Sequence, residues 1–164
     1  MRKPNIIDNL ILDMRMDVDD KVLFTRIKSL PDIDLTDSGG MTLLMAACVY
    51  DRLELAKMLI DLGADINLQE KARGYTALHA AVENRKIDAI RLLLEHNANT
   101  NIQDAFGNIP LMKASHLDIE IIDLLVKYGS DYNKENFYGN SAYKIFLAYP
   151  EIIRLFEGVK WYVF

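Results

Sequence analysis

The side chains of this chain that could do chemistry are few and scattered. They are three histidines (His79, His96 and His116), one cysteine (Cys48) and a cluster of aspartates, Asp13, Asp17, Asp19 and Asp20. The histidines are spaced too widely for a local metal motif, which brings ligands within a few residues. His96 falls near an expected helix end, where a cation is favourable and solvated. Cys48 follows Ala46 and Ala47 in a small-residue core slot and reads as a packed side chain rather than a nucleophile. The aspartates lack the glycine and terminal glutamate of a calcium loop. They read as a solvated turn whose acids favour the amino end of the next helix. The rival is an enzyme or a ligand- or metal-binding site near Asp17. No phosphate-cradling glycine loop and no Ser/His/Asp arrangement can be drawn, so neither a cofactor nor a catalytic or metal-ligating residue is expected.

What the sequence does carry is a period. Gly40, Gly74, Gly107 and Gly139 are separated by 34, 33 and 32 positions, and each opens a similar phrase. The clearest are Gly40-Met-Thr-Leu-Leu-Met-Ala-Ala and Gly74-Tyr-Thr-Ala-Leu-His-Ala-Ala. A second phrase follows the first three: Gly63-Ala-Asp-Ile-Asn67, Asn97-Ala-Asn-Thr-Asn101 and Gly129-Ser-Asp-Tyr-Asn133. A fixed period of this length predicts a stacked solenoid, which works through its exposed surface.

Each unit reads as two short helices. Thr42 is placed to cap Leu43 to Tyr50, and Leu53 to Leu62 carries Leu55, Met58, Leu59 and Leu62 on one face. The next unit repeats this with Thr76, Leu78 to Val82, and Ile87, Ile90, Leu93 and Leu94. Gly63 supplies a left-handed helix end, and Asn97 substitutes for it. In the third unit Ile109 replaces the capping Thr, Pro110 suits the first helical position, and a residue is missing near Ser115 to Leu117. Further on, Pro150 separates two short helices and Gly158 ends the second. At the amino end, Asn5 to Met16, with Ile6, Leu10 and Met14 inward, and Lys21 to Leu30 form an atypical first pair. The division is one domain: a cap over 1–36, repeats over 37–70, 71–103 and 104–135, and a cap repeat over 136–164.

These phrases resemble the ankyrin repeat, whose pattern runs D-x-x-G-x-T-P-L-H-x-A-A through to L-L-x-x-G-A-D-V-N. Asp37 to Gln69 and Lys71 to Gln103 match closely, Asp104 to Glu135 moderately, and the two ends weakly. Leu43 and Ala77 depart from the helix-starting proline; Met45, Met112 and Lys144 depart from the histidine that only His79 keeps. The resemblance implies an all-α solenoid of about five units with short β-hairpin-like fingers. It also implies that His79 ties a helix start to a finger.

In that family a protein partner meets the finger tips and the outer side of each first helix. Carried over by position, the binding residues are Tyr50, Arg73, Tyr75, Glu83, Asn84, Phe106, Asn108, His116, Phe137 and Tyr138. Their aromatic members form a series along one face, with Arg73 among them, and such residues dominate interface hot spots. Glu70 is extra to the period and is expected to lengthen the finger before Gly74. The apolar Trp161-Tyr-Val-Phe164 is expected to cover the last unit, with docking to a partner or a second copy as the alternative.

Bulk properties narrow the partner. The net charge of −5, without a basic run, argues against nucleic acid or an anionic membrane. Apolar residues at 51% and charged residues at 26% are ordinary for a folded domain. A lone cysteine excludes an intrachain disulfide and suits a reducing compartment. No cleavable leader is read at the amino terminus, and no apolar run nears the ~18 residues of a membrane span. The expectation is a monomeric, cytoplasmic, non-catalytic protein-binding module, of bacterial character, acting as an inhibitor, immunity-type protein or effector. A self-associating structural protein is the further alternative.

Overall fold

The computed structural model describes residues 5–159. The expected role of Trp161 to Phe164 lies outside them. Among the described residues the order is α1 (Ile6–Arg15), α2 (Asp20–Lys28), α3 (Leu43–Val49), α4 (Leu53–Asp61), α5 (Ala77–Glu83), α6 (Ile87–Glu95), a 3-10 turn (Pro110–Lys113), α7 (Ile119–Lys127), α8 (Ala142–Ile145) and α9 (Pro150–Val159). The architecture is an all-α solenoid of helix pairs joined by fingers, with a single β-bridge, Thr36 to Thr42, in the described residues. None of these helices is long and apolar enough to cross a membrane.

Local chemistry sets each helix start. Thr42, Thr76 and Ser141 accept the N–H of Met45, His79 and Lys144, so three first helices begin on a side-chain cap. Ile109 offers none, and Pro110 opens only a 3-10 turn in place of a first helix. Ser115 to Leu117 then replace the rest of that helix, where the period loses one residue.

Packing follows the period as well. α3 packs on α1, α4 and α5, and α4 on α2 and α6, so one continuous core runs through the stack. Ala46, Ala47, Ala80 and Ala81 let the first helices approach closely, while Leu44, Leu78 and Leu111 fill the layers between them. Two inward assignments shift. Ile7, not Ile6, is buried with Leu10, Ile11 and Met14, because the Asn5–Asp8 capping box sets the phase of α1. Leu62 is exposed beyond the end of α4, and Ala56 takes the inner face. Gly158 does not end the last helix, which runs through to Val159.

A ladder of ion pairs ties successive units together. Asp17, Asp51 and Arg85 hold the left-handed turn between the two helices of a pair, with φ of 58°, 58° and 57°. Each reaches the residue that starts the next unit's second helix. Asp17 meets Arg52 at 3.0 Å, Asp51 meets Lys86, and Arg85 meets Asp118 at 2.5 Å with the charges reversed. A second ladder runs through short polar side chains: Asp34, Asn67 and Asn101 accept the N–H of Asp65, Asn99 and Asp131, one unit on.

Candidate functional site

Each finger is built on one acid or amide. Asp37, Glu70, Asp104 and Asn136 accept main-chain N–H groups of their own finger, at 2.6–3.0 Å for the shorter bonds. Opposite strands of a finger then pair, as in Asp104 N–H to the Asn108 carbonyl at 2.8 Å. The second finger is the long one. Gly74 bonds back to Glu70 four residues earlier, whereas Gly40, Gly107 and Gly139 bond back three. The lengthening assigned to Glu70 is present, with Glu70 itself taking the place of the finger acid.

The residue before each of these glycines lies at the tip, and the residue after it lies on the return strand against the first helix. That difference sorts the aromatic series. Phe106, Phe137 and Tyr138 are exposed, at 48%, 71% and 71%. Tyr75 is on a return strand and only 4% exposed, which corrects its place among the outward rings. Its ring stacks on His79 at 5.3 Å, lies beneath the Arg73 guanidinium at 4.1 Å, and faces the Lys113 ammonium at 4.9 Å. Its hydroxyl donates to Glu83 at 2.9 Å, and burial pushes its pKa up. Asn108, in the same slot, is also inward. It donates to Asp104, its side chain joins Asn136 at 2.7 Å, and its carbonyl meets His79.

The remaining residues divide similarly. Arg73 and Glu83 are outward and loosely paired at 3.4 Å, and Asn84 is exposed with its amide donating to Ala80. Tyr50 is half-buried against the core, and His116 is half-buried and stacked on Tyr149 at 4.3 Å. Lys113 is a residue of this site that the sequence gives no sign of. Lys113 pairs with the buried Asp104 carboxylate at 2.7 Å. Although burial opposes it, Lys113 and the N–H groups of Asn108 and Phe106 hold that carboxyl below its ordinary range.

His79 is fully buried. Its Nδ1 accepts the Thr76 N–H at 3.2 Å, so Nε2 carries the proton and donates to the Asn108 carbonyl at 3.1 Å. The ring thus links its own helix start to the next finger. Burial, only partly offset by the Asn108 carbonyl and Asp104, pulls its pKa below the ordinary value. Unfolded chains protonate histidine below about pH 6.5, while native His79 resists to lower pH. The unfolded state then binds more protons, so stability should fall as pH drops from 7 through that window and level off below the native pKa. Urea midpoints at several pH values should show a steeper decline for the wild type than for His79→Gln. Parallel curves would mean that His79 titrates alike in both states.

The groups first singled out for chemistry are committed elsewhere. Asp13 pairs with Arg26, Asp17 and Asp20 pair with Arg52, and Asp19 caps α2. Cys48 is fully buried, which pushes its thiol up to about 12. His96 joins the Leu92 carbonyl at 2.8 Å. Among the described residues no three His, Cys, Asp or Glu side chains converge on one point.

Two family models match the chain: Ankyrin repeats (3 copies) over residues 62–136 and Ankyrin repeat over residues 39–68. Among similar proteins, the transient receptor potential channel pyrexia of Drosophila melanogaster is 34% identical over 112 residues, covering 65% of this chain and 11% of the channel. The nuclear factor NF-kappa-B p105 subunit of Gallus gallus is 34% identical over 124 residues, covering 73% of this chain and 13% of the subunit. The probable 26S proteasome regulatory subunit p28 of Saccharomyces cerevisiae is 32% identical over 110 residues, covering 65% of this chain and 48% of that protein. The chain therefore spans less than half of each of these relatives.

Proposed function

The chain belongs to the ankyrin-repeat family, a general protein–protein interaction module, and on that premise we propose that it binds a protein partner through its finger tips and the outer side of its first helices. In this proposal it is a non-catalytic cytoplasmic monomer that holds or blocks its partner without a cofactor. The observation that carries the proposal is the trio Phe106, Phe137 and Tyr138, exposed on two fingers whose backbones are already joined by Phe137 N–H to the Phe106 carbonyl at 3.1 Å. Rings on a preformed frame lose little entropy on docking, so modest contact area can bind tightly. Outward Arg73, Glu83 and Asn84, with half-buried Tyr50 and His116, would extend the contact along the same face.

Tyr75→Ala and Asn108→Ala are poor tests, since both side chains support the fold. The test is capture of partner from the native cell by wild type and by a Phe106→Ala/Phe137→Ala double variant. The variant should keep its helical signal and melting temperature and bind at least about tenfold more weakly. Equal capture by both proteins would refute the proposed contact face.

A further inference from the structure

The first and second fingers are not joined as the others are. Ala105 N–H donates to the Arg73 carbonyl at 2.7 Å and Phe137 N–H to the Phe106 carbonyl at 3.1 Å, zipping fingers two to four. By register the matching bond at the first junction would run from Lys71 N–H to the Gly39 carbonyl, and it is not formed. In the longer second finger, Ala72 N–H and Arg73 N–H turn inward to Glu70 instead, both at 2.6 Å. A cleft opens between these two fingers, lined by Met41, Met45, Ala72, Tyr75 and Ala80, with Arg73 at its side.

Three properties point to one kind of occupant. The lining carries Asp37, Glu70 and Arg73 but is mostly apolar, and it includes two methionines, whose unbranched side chains adapt to varied shapes. Gly39 lines the cleft with a carbonyl that takes no main-chain N–H, an acceptor for an extended segment. Arg73 is the cation beside the cleft. Its guanidinium lies over the Tyr75 ring, 4.1 Å from the centroid, and is half exposed, with a 3.4 Å contact to Glu83 and a 3.7 Å contact to Glu70. The two acids that line the cleft are engaged by main-chain donors of their own fingers. Glu70 is buried with both oxygens taking N–H groups, and Asp37 is turned to Gly39 and Met41.

Building on the protein-binding proposal, we infer that this cleft takes a large apolar side chain from an extended partner segment, with an adjacent carboxylate held by Arg73. A guanidinium already stacked in place meets a carboxylate with little further ordering, and a fork geometry that lysine lacks.

The test is selection of random twelve-residue peptides, displayed on phage, against the immobilised full chain, followed by titration of the selected peptides in solution. Enriched sequences should place Asp or Glu within two residues of Leu, Met or Phe. Arg73→Gln should weaken them by about tenfold to a hundredfold, the range for a charge-assisted contact. Replacing the peptide acid by its amide should weaken binding similarly, and the two changes together should do little more than either alone. Ala72→Trp, which fills the cleft from an exposed position, should abolish binding and serves as the second probe if Arg73→Gln alters the fold. Failure to enrich any peptide, enrichment without acids, or binding indifferent to both variants would overturn the inference. Peptides lost on Phe106→Ala/Phe137→Ala but indifferent to Arg73→Gln and Ala72→Trp would sink the cleft while leaving the finger-tip proposal standing.

Discussion

Replacing Arg52 by alanine should unlatch the amino-terminal helix pair, lowering stability by about 3 kcal/mol. Arg52 starts α4 in one unit, yet its guanidinium spends all its bonds on the turn of the preceding one. It donates to the Met14 carbonyl at 3.2 Å, the Val18 carbonyl at 2.5 Å, Asp17 at 3.0 Å, and Asp20. The side chain is only 10% exposed, so water does not replace these bonds when it is cut away. The Asp17 share is small, because that carboxylate is 93% exposed and its pairing is screened. Most of the loss comes from the two carbonyls and Asp20. For a chain of this size the melting temperature should fall by about 6–12 °C. A solenoid communicates only between neighbours, so the loss should also be local. Amide exchange should quicken in α1 and α2 first, with α5 to α7 little changed. Arg52→Lys should recover only part, since an ammonium cannot span all four acceptors. A loss under 1 kcal/mol, or one spread evenly over the chain, would show that the latch is not where the unit is held.

Arg52 also marks where sequence stops being legible. The repeat can be read because its signals are local: a glycine at each finger, a capping hydroxyl two residues later in three of the four units, and paired alanines in two of the first helices. Carrying the family's finger-tip positions onto this chain names Phe106, Phe137 and Tyr138, which are exposed. The same carry-over puts Tyr75 and Asn108 outward, because it takes the finger as one outward loop. The chain reverses at the glycine, so the next side chain returns toward the helix, and in Tyr75 it ends against His79. Apolar spacing with Leu10 puts Ile6 inward, but the Asn5–Asp8 capping box starts the helix at Ile6 and turns Ile7 to the core. Arg52 and Lys113 gave no signal at all. The partners of Arg52 lie 32 to 38 residues away, and Lys113 meets an acid on a finger rather than on its own turn. The ladder between units does keep the period, as Asp17–Arg52, Asp51–Lys86 and Arg85–Asp118 show, but its residue types change from rung to rung, so no repeated phrase announces it.

Close stacking of fingers can be separated from the need for a positive φ by comparing two glycines. Gly107 and Gly139 have φ of 81° and 74°, so any other residue is strained at both. At Gly139 an added Cβ meets nothing within 4 Å. At Gly107 it would stand 2.6 Å from the Phe137 nitrogen and 3.0 Å from the Asn136 Cα, which are backbone and cannot step aside alone. Gly139→Ala should therefore lose only about 1–2 kcal/mol, the left-handed penalty by itself. Gly107→Ala must add the displacement of the whole fourth finger, breaking Phe137 N–H to the Phe106 carbonyl, and should lose about 3 kcal/mol or more. It should also separate Phe106 from Phe137, so partner binding should fall even at temperatures where the variant stays folded. Urea unfolding of both variants, read beside their partner affinities, checks the two halves of this expectation. Equal losses at the two positions would mean that the fingers do not bear on one another. The exposed rings would then lack the rigid frame on which their binding role depends.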